Sequence, residues 1–199
     1  MVVEAAGDGE VVAEDLGCVP EYVRPHLASL DIAGFRIPHW DTGHDGRVIS
    51  GDQFPECSFA TYATHDHDTL AAMWEGFRAN ASGQVEGLEP EAVEGARRNL
   101  RLLAEFAGIT RPADPSDWPV FTGEVKWPLI EALLGCRSRY AALMVTDVFG
   151  MIDRFNKPGT VGGENWRLRM PWTMDKLRAS ESLAGECRML KSAIGKAGR

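Results

Sequence analysis

The sequence predicts an α/β fold, because short apolar segments alternate with helical patterns and the first three of those segments end in ionisable clusters. The segments that read as buried strands are Val11–Ala13, Phe35–Ile37 leading to Trp40, Phe59–Tyr62 and Ala141–Val148. Val19–Leu30 reads as a helix with Pro20 at its first position and its end near Asp31. Thr69–Arg78 places Leu70, Met73, Trp74 and Phe77 on one helical face at i, i+3, i+4 and i+7. Pro90–Phe106, stopped by Gly108, is the next helix; another runs from Glu124 to Leu134, and the tail from Asp175 to about Ala193 is helical. Thr42–Gly51 and Ser82–Glu91, rich in Gly and Asp, read as surface loops. Strands alternating with helices imply parallel pairing through right-handed crossovers. Glu14-Asp15, His39-Trp40-Asp41 and His65-Asp66-His67-Asp68 then lie just past C-terminal strand ends, as in a (β/α)8 barrel or an open α/β sheet. A closed barrel takes about 250 residues, and these 199 residues supply about half its strands.

Charge excludes one class of partner. Lys plus Arg is 21 against 29 for Asp plus Glu, a net charge of −8, whereas nucleic-acid binding depends on cations that neutralise phosphates. The basic residues near the C-terminus (Arg188, Lys191, Lys196, Arg199) read as a solvated helix end. Cys18, Cys57, Cys136 and Cys187 form no C-x-x-C pair, so neither a zinc knuckle nor a redox motif is expected, and scattered single thiols fit a cytoplasmic protein. No apolar run reaches the 18 or so residues of a membrane span. The first residues are acidic and lack an apolar stretch after a basic start, so no signal peptide is expected.

Three segments carry candidate chemistry. In Ala13-Glu14-Asp15-Leu16-Gly17, one carboxylate can sit over a cleft while the other holds backbone or a neighbouring cation; Glu14 is a candidate general acid. The alternative is a turn whose two acids cap the next helix. Thr64-His65-Asp66-His67-Asp68-Thr69 offers a carboxylate that stabilises developing positive charge, or a metal site, or an N-cap through Asp66 or Asp68. Asn156 to Arg167 is a glycine-rich loop without the G-x-G-x-x-G or Walker pattern. Its Asn165-Trp166 pair suits a sugar, which offers hydroxyls at its rim and an apolar face for stacking. Trp40, Trp74, Trp118, Trp127 and Trp172 are expected in the core.

In order, these segments resemble the C-terminal stretch of the amylomaltase, or 4-alpha-glucanotransferase, family (glycoside hydrolase family 77). Val12-Ala13-Glu14-Asp15-Leu16-Gly17 with Val19-Pro20-Glu21 resembles the family's A-E-D-L-G-x-x-x-P-E block at the fifth barrel strand. Ala33-Gly34-Phe35-Arg36 stands where the family begins its sixth strand. Ala63-Thr64-His65-Asp66-His67-Asp68-Thr69 is similar to its G-T-H-D-N-D-T block at the seventh. Asp147 matches an Asp near the eighth, and Asn156 to Arg167 resembles an N-x-P-G…N-W-x-x-R ending. The resemblance covers residues 11–170, followed by a helical tail at 175–199, and it makes residues 1–199 a partial catalytic barrel domain holding strands five to eight.

What the resemblance implies is specific. Glu14 is the acid/base, Asp66 stabilises the transition state, and His65, Asp15, Asn165 and Trp166 bind substrate. The substrates are alpha-1,4-glucans such as maltooligosaccharides, glycogen and starch, cut and rejoined with retention, and no cofactor or metal is needed. Three departures stand out: His67 replaces the usual Asn, Thr146 stands where Gln is usual, and Gly163-Glu164-Asn165 adds a residue. The family's nucleophile is an Asp at the fourth strand. Ten residues precede Val11, and among them Asp8, between two glycines, fits no such motif. The expectation is that this chain alone is inactive and that a separate N-terminal half-barrel chain could complete it. Two further readings remain: a metal-dependent hydrolase using His65, Asp66, His67 and Asp68, and a non-catalytic glucan-binding remnant.

Overall fold

The computed structural model describes residues 2–83 and 85–199; Met1, and Gln84 of the predicted 82–91 loop, lie outside the described residues. Four strands form one sheet: β1 (Val12–Ala13), β2 (Ala33–Arg36), β3 (Ser58–Ala60) and β4 (Tyr140–Ala141). They pair in sequence order and all pairs are parallel. Around the sheet lie α1 (Val2–Ala6), α2 (Val23–Ser29), α3 (Leu70–Ala81), α4 (Pro90–Phe106), α5 (Gly123–Leu134), α6 (Val145–Val148), α7 (Met174–Ala179) and α8 (Glu181–Lys196). The β1–β2 crossover carries α2, and the β3–β4 crossover carries α3, α4 and α5. Between β2 and β3 there is no α-helix, only a Thr42–Val48 antiparallel bridge and a 3-10 turn at Gly51–Gln53.

Alternation along the strands divides the sheet into two unlike faces. Ser58 and Ala60 are fully buried, and Ala60 belongs to the core formed with Leu70, Trp74, Leu100, Leu103 and Leu129. Trp74 also satisfies its indole N–H, which donates to the Pro119 carbonyl at 2.8 Å. On the other face, register brings Phe35, Phe59 and Tyr140 into one row. The two Phe rings stack at 4.7 Å and Phe59 meets Tyr140 at 6.2 Å. All three residues are only half-buried.

Several expected elements are shifted, each for a local reason. The first predicted helix begins at Val23 rather than Pro20. Pro25 lacks an N–H, which costs nothing in a first turn but would break a helix started at Pro20, where that N–H would be needed for Glu21. The fourth predicted strand stops at Ala141, and Val145–Val148 turn into α6. There Asp147 folds back to accept from the Met144 N–H at 3.2 Å, an option no apolar strand residue offers. The predicted tail helix is two helices, because Ser180 adopts extended backbone and its hydroxyl caps Leu183 N–H at 3.4 Å. At α3 the cap is neither Asp66 nor Asp68: Thr69 Oγ1 accepts from Ala72 N–H at 3.2 Å. The helix α1 was not anticipated.

Among the described residues no helix is long and apolar enough to cross a membrane. The four cysteines are free thiols. Of the basic residues near the C-terminus, Arg188 pairs with Glu181, Lys196 pairs with Glu131 at 2.7 Å, and the Arg199 guanidinium donates to the carbonyls of Leu134, Cys136 and Ser138.

Leu103 is fully enclosed where α4 meets the core. Leu103→Ala is therefore expected to lower unfolding stability by about 2–5 kcal/mol, read from the urea midpoint. Val120→Ala, at an exposed position, is expected to change it by less than about 0.5 kcal/mol.

Candidate active site

Parallel pairing gathers the segments after all four strands along one edge of the sheet, and every candidate residue lies there. After β1 the two acids part company. Glu14 is exposed. Asp15 has a side chain only 2% exposed, with Oδ1 accepting from the Phe35 N–H at 2.5 Å and Oδ2 from Arg24 Nε at 3.0 Å. A Cβ on Gly34 would meet the Asp15 carboxylate at 2.9 Å, so this packing requires a glycine on β2. Arg24 also reaches Asp41 at 3.4 Å, and Asp41 accepts from the Ile37 N–H at 3.0 Å. Asp15 was expected to bind substrate; its oxygens are instead committed to locking β1, β2 and α2 together.

After β3, the four ionisable residues diverge. His65 Nε2 lies 3.3 Å from Asp66 Oδ1. Asn156 Nδ2 donates to that same oxygen at 2.6 Å, and Arg154 donates to the Asp66 carbonyl at 2.6 Å. His67 turns the other way, with Nδ1 2.9 Å from Thr64 Oγ1 and its ring 5.1 Å from Trp40. Asp68 pairs with Arg154 at 3.0 Å. These side chains do not converge on one point, and among the described residues no group of three His, Cys, Asp or Glu is placed to hold a metal. The metal-hydrolase reading finds no support in this geometry.

The glycine-rich segment folds back so that Asn156 and Trp166 face the β3 end. Trp166 packs against His65 with ring centroids 4.9 Å apart while remaining 64% exposed. It holds φ at +62°, an uncommon conformation for a bulky residue, and its N–H donates to the Phe155 carbonyl at 2.8 Å. Asn165, expected to bind sugar, braces its own loop: Oδ1 accepts from the Lys157 N–H at 2.9 Å and Nδ2 donates to Thr160 Oγ1 at 2.8 Å. The Asn that reaches the site is Asn156. Its signal was present as the first residue of the N-x-P-G segment, but a one-dimensional pattern does not say which Asn of a loop faces inward. Trp40, expected in the core, is 44% exposed beside His67, and Trp172 is half-buried against Phe149.

Beneath the site, Asp147 Oδ1 accepts from the Leu70 N–H at 2.8 Å. Burial raises its pKa from the ordinary 3.8 to about 6, opposed by the two backbone N–H donors. Glu14 follows β1 and Asp66 follows β3, two strands away in the same parallel sheet.

Two substitutions separate the neighbouring acids. Asp15→Ala should destabilise the fold by about 1–3 kcal/mol, because a buried N–H and a guanidinium lose their acceptor, whereas Glu14→Gln should be nearly silent in thermal melts. Asp147 predicts a pH dependence. Because its folded pKa lies above the unfolded value of 3.8, the proton-linked part of its contribution is complete below that value and is lost as pH rises through about 6, about 2–3 kcal/mol in all. Urea titrations across this window should show Asp147→Asn lacking that component of the slope.

Comparison with known proteins identifies the family. A family model described as 4-alpha-glucanotransferase matches residues 1–175. The 4-alpha-glucanotransferase of Chlamydia pneumoniae is 38% identical over 183 residues, covering 87% of this chain and 31% of that protein. The Chlamydia muridarum enzyme is 27% identical over 184 residues, covering 86% and 30%. The chain thus spans about 30% of the length of these relatives. Among solved structures, amylomaltase from Corynebacterium glutamicum superposes with TM-score 0.68 at 19% identity, covering 96% of this chain and 29% of that one. Amylomaltase from Streptococcus agalactiae in complex with acarbose superposes with TM-score 0.63 at 21% identity, covering 100% and 34%. These two show the shared fold, and the family match over residues 1–175 shows that the chain belongs to the 4-alpha-glucanotransferase family, glycoside hydrolase family 77.

Proposed function

We propose that this chain supplies the acid/base side of a 4-alpha-glucanotransferase active site, as strands five to eight of a (β/α)8 barrel. The observation that carries the reading is the pairing of Glu14 and Asp66 along one edge of a parallel sheet, with Asp66 held by His65 and Asn156. The half-buried row of Phe35, Phe59 and Tyr140 supports the barrel assignment, since a barrel encloses such a layer. β1 and β4 are edge strands of the kind barrel closure removes.

In this reading Glu14 protonates the departing glucosidic oxygen as an alpha-1,4 bond breaks. The anomeric carbon is captured by a carboxylate from the complementary half, because a retaining mechanism needs a second carboxyl about 5–5.5 Å from the acid. Asp8 sits in an exposed turn after α1 and is not assigned that role. Glu14, now a carboxylate, takes the proton from the 4-hydroxyl of an acceptor glucan, whose oxygen then displaces the enzyme carboxylate with net retention. Asp66, oriented by the Asn156 amide, offers negative charge as the ring becomes oxocarbenium-like. Trp166 provides a stacking face beside His65. The substrates are maltooligosaccharides and related alpha-1,4-glucans, the partner is an N-terminal half-barrel, and the location is the cytoplasm, in keeping with four free thiols.

A maltotriose disproportionation assay, following glucose and longer maltodextrins, tests this. The chain alone should be silent, and co-expression with an amylomaltase N-terminal half should restore turnover that Glu14→Gln abolishes. Turnover by the chain alone would show that the nucleophile resides within it. A folded, maltoheptaose-binding complex without turnover would instead favour a glucan-binding remnant.

A further inference from the structure

The β2–β3 connection lacks the helix that usually follows a strand in this architecture, and the space beside α3 is consequently open. A cavity of ≈ 280 Å³ lies there, between the segment after β2 and α3. Its walls are Trp40, Tyr62, Met73 and Phe77, and its polar groups include His39 and Asn80. His39 is only 2% exposed, and its Nδ1 has no hydrogen-bond partner among the described residues. That nitrogen is itself buried, while the His39 ring forms part of the cavity wall. None of the side chains that grip Asp66, namely His65 and Asn156, lines this space.

The lining defines the ligand. Burial, with a smaller contribution from His67, pushes the His39 pKa down to about 3, so its ring is neutral at physiological pH. Asp68 reaches the cavity already paired with Arg154 at 3.0 Å. A phosphate would find no free cation here and an amine no free carboxylate. A hydroxyl both donates and accepts, so it can meet the Asn80 amide, which offers a donor and an acceptor, without any charged partner. The aromatic rings and Met73 suit the C–H face of a saturated ring. The volume, ≈ 280 Å³, falls just below the range of small-molecule sites, which begins at about 300 Å³, and this limits the occupant to one ring.

We propose that this cavity is a second, non-catalytic binding site for a single neutral pyranose, with glucose as its occupant. The preference for glucose over other pyranoses rests on the transferase reading, in which glucose is the small product; the site itself does not. Its consequence is contact with the catalytic turn: His67 and Asp68, which flank Asp66 in sequence, both line the cavity, so a bound ring would bear on the turn that presents Asp66.

The test is a glucose titration of the full chain followed by amide and indole NMR. Saturable shifts are expected at the Trp40 indole and the Asn80 side-chain amide. Trp40→Ala and Asn80→Leu should each weaken binding at least about tenfold, a change of roughly 1.4 kcal/mol, while Asp66→Asn leaves it unchanged. Trp40 is 44% exposed and Asn80 half-buried, so both variants should keep native amide dispersion. Shifts confined to His65, Asp66 and Trp166 and lost in Asp66→Asn would place glucose in the catalytic cleft, overturning this site while leaving the transferase reading intact. Saturable binding of galactose but not glucose would keep the cavity as a sugar site and remove its link to that reading. Binding of indole with no response to any sugar at about 0.1 M, well above a millimolar Kd, would make it an apolar void and overturn the proposal, as would silence towards all of these probes.

Discussion

One buried carboxylate holds together the part of the molecule on which the proposed chemistry depends. Asp147, 2% exposed, accepts from the first N–H of α3 and from the Met144 N–H, so the segments after β3 and β4 share an anchor. Thr69 strengthens the joint, since its hydroxyl donates to the Met151 carbonyl at 2.6 Å and caps α3. The turn that carries Asp66 is thereby clamped at its C-terminal end, and Arg154 clamps its middle through the Asp66 carbonyl and the Asp68 carboxylate. With strands of only two to four residues, ladder hydrogen bonds alone would fix these strand ends poorly. Side-chain acceptors on backbone N–H groups do the positioning, and Asp15 does the same at the β1–β2 end of the sheet.

This division of labour explains which parts of the molecule could be read from the sequence. Four parallel strands in order, and α3, α4 and α5 to within a residue or so at most of their ends, follow from apolar periodicity, which the core enforces along the whole length of a segment. Boundaries failed where one residue outweighs the pattern. Pro25 forbids the longer first helix, Asp147 turns a strand-like run into α6, and Ser180 divides the tail. Glu14 and Asp15 show the same limit within the site. The sequence places both acids past β1, but which carboxylate is buried depends on a guanidinium nine residues away and a backbone N–H on the next strand, as well as on the missing Cβ of Gly34. Asn156 reaches Asp66 while Asn165, the expected sugar-binding amide, bonds within its own loop, because the fold of a glycine-rich loop, rather than the identity of its residues, decides which amide points inward.

The two faces of the sheet explain why a family member of this extent presents an incomplete site. The helix-covered face is closed by Trp74, Leu100, Leu103 and Leu129, all fully buried. On the opposite face, Phe35, Phe59 and Tyr140 retain solvent contact. Glu14 is exposed and the Asp66 side chain is 40% exposed, so neither is desolvated. A general acid works best when burial holds its proton near neutral pH, and a charge-stabilising carboxylate gains strength as water is excluded. In the proposed half-barrel reading, the complementary half would supply the nucleophilic carboxyl and, at the same time, the low-dielectric setting that Glu14 and Asp66 require, which makes stability, assembly and catalysis aspects of one surface.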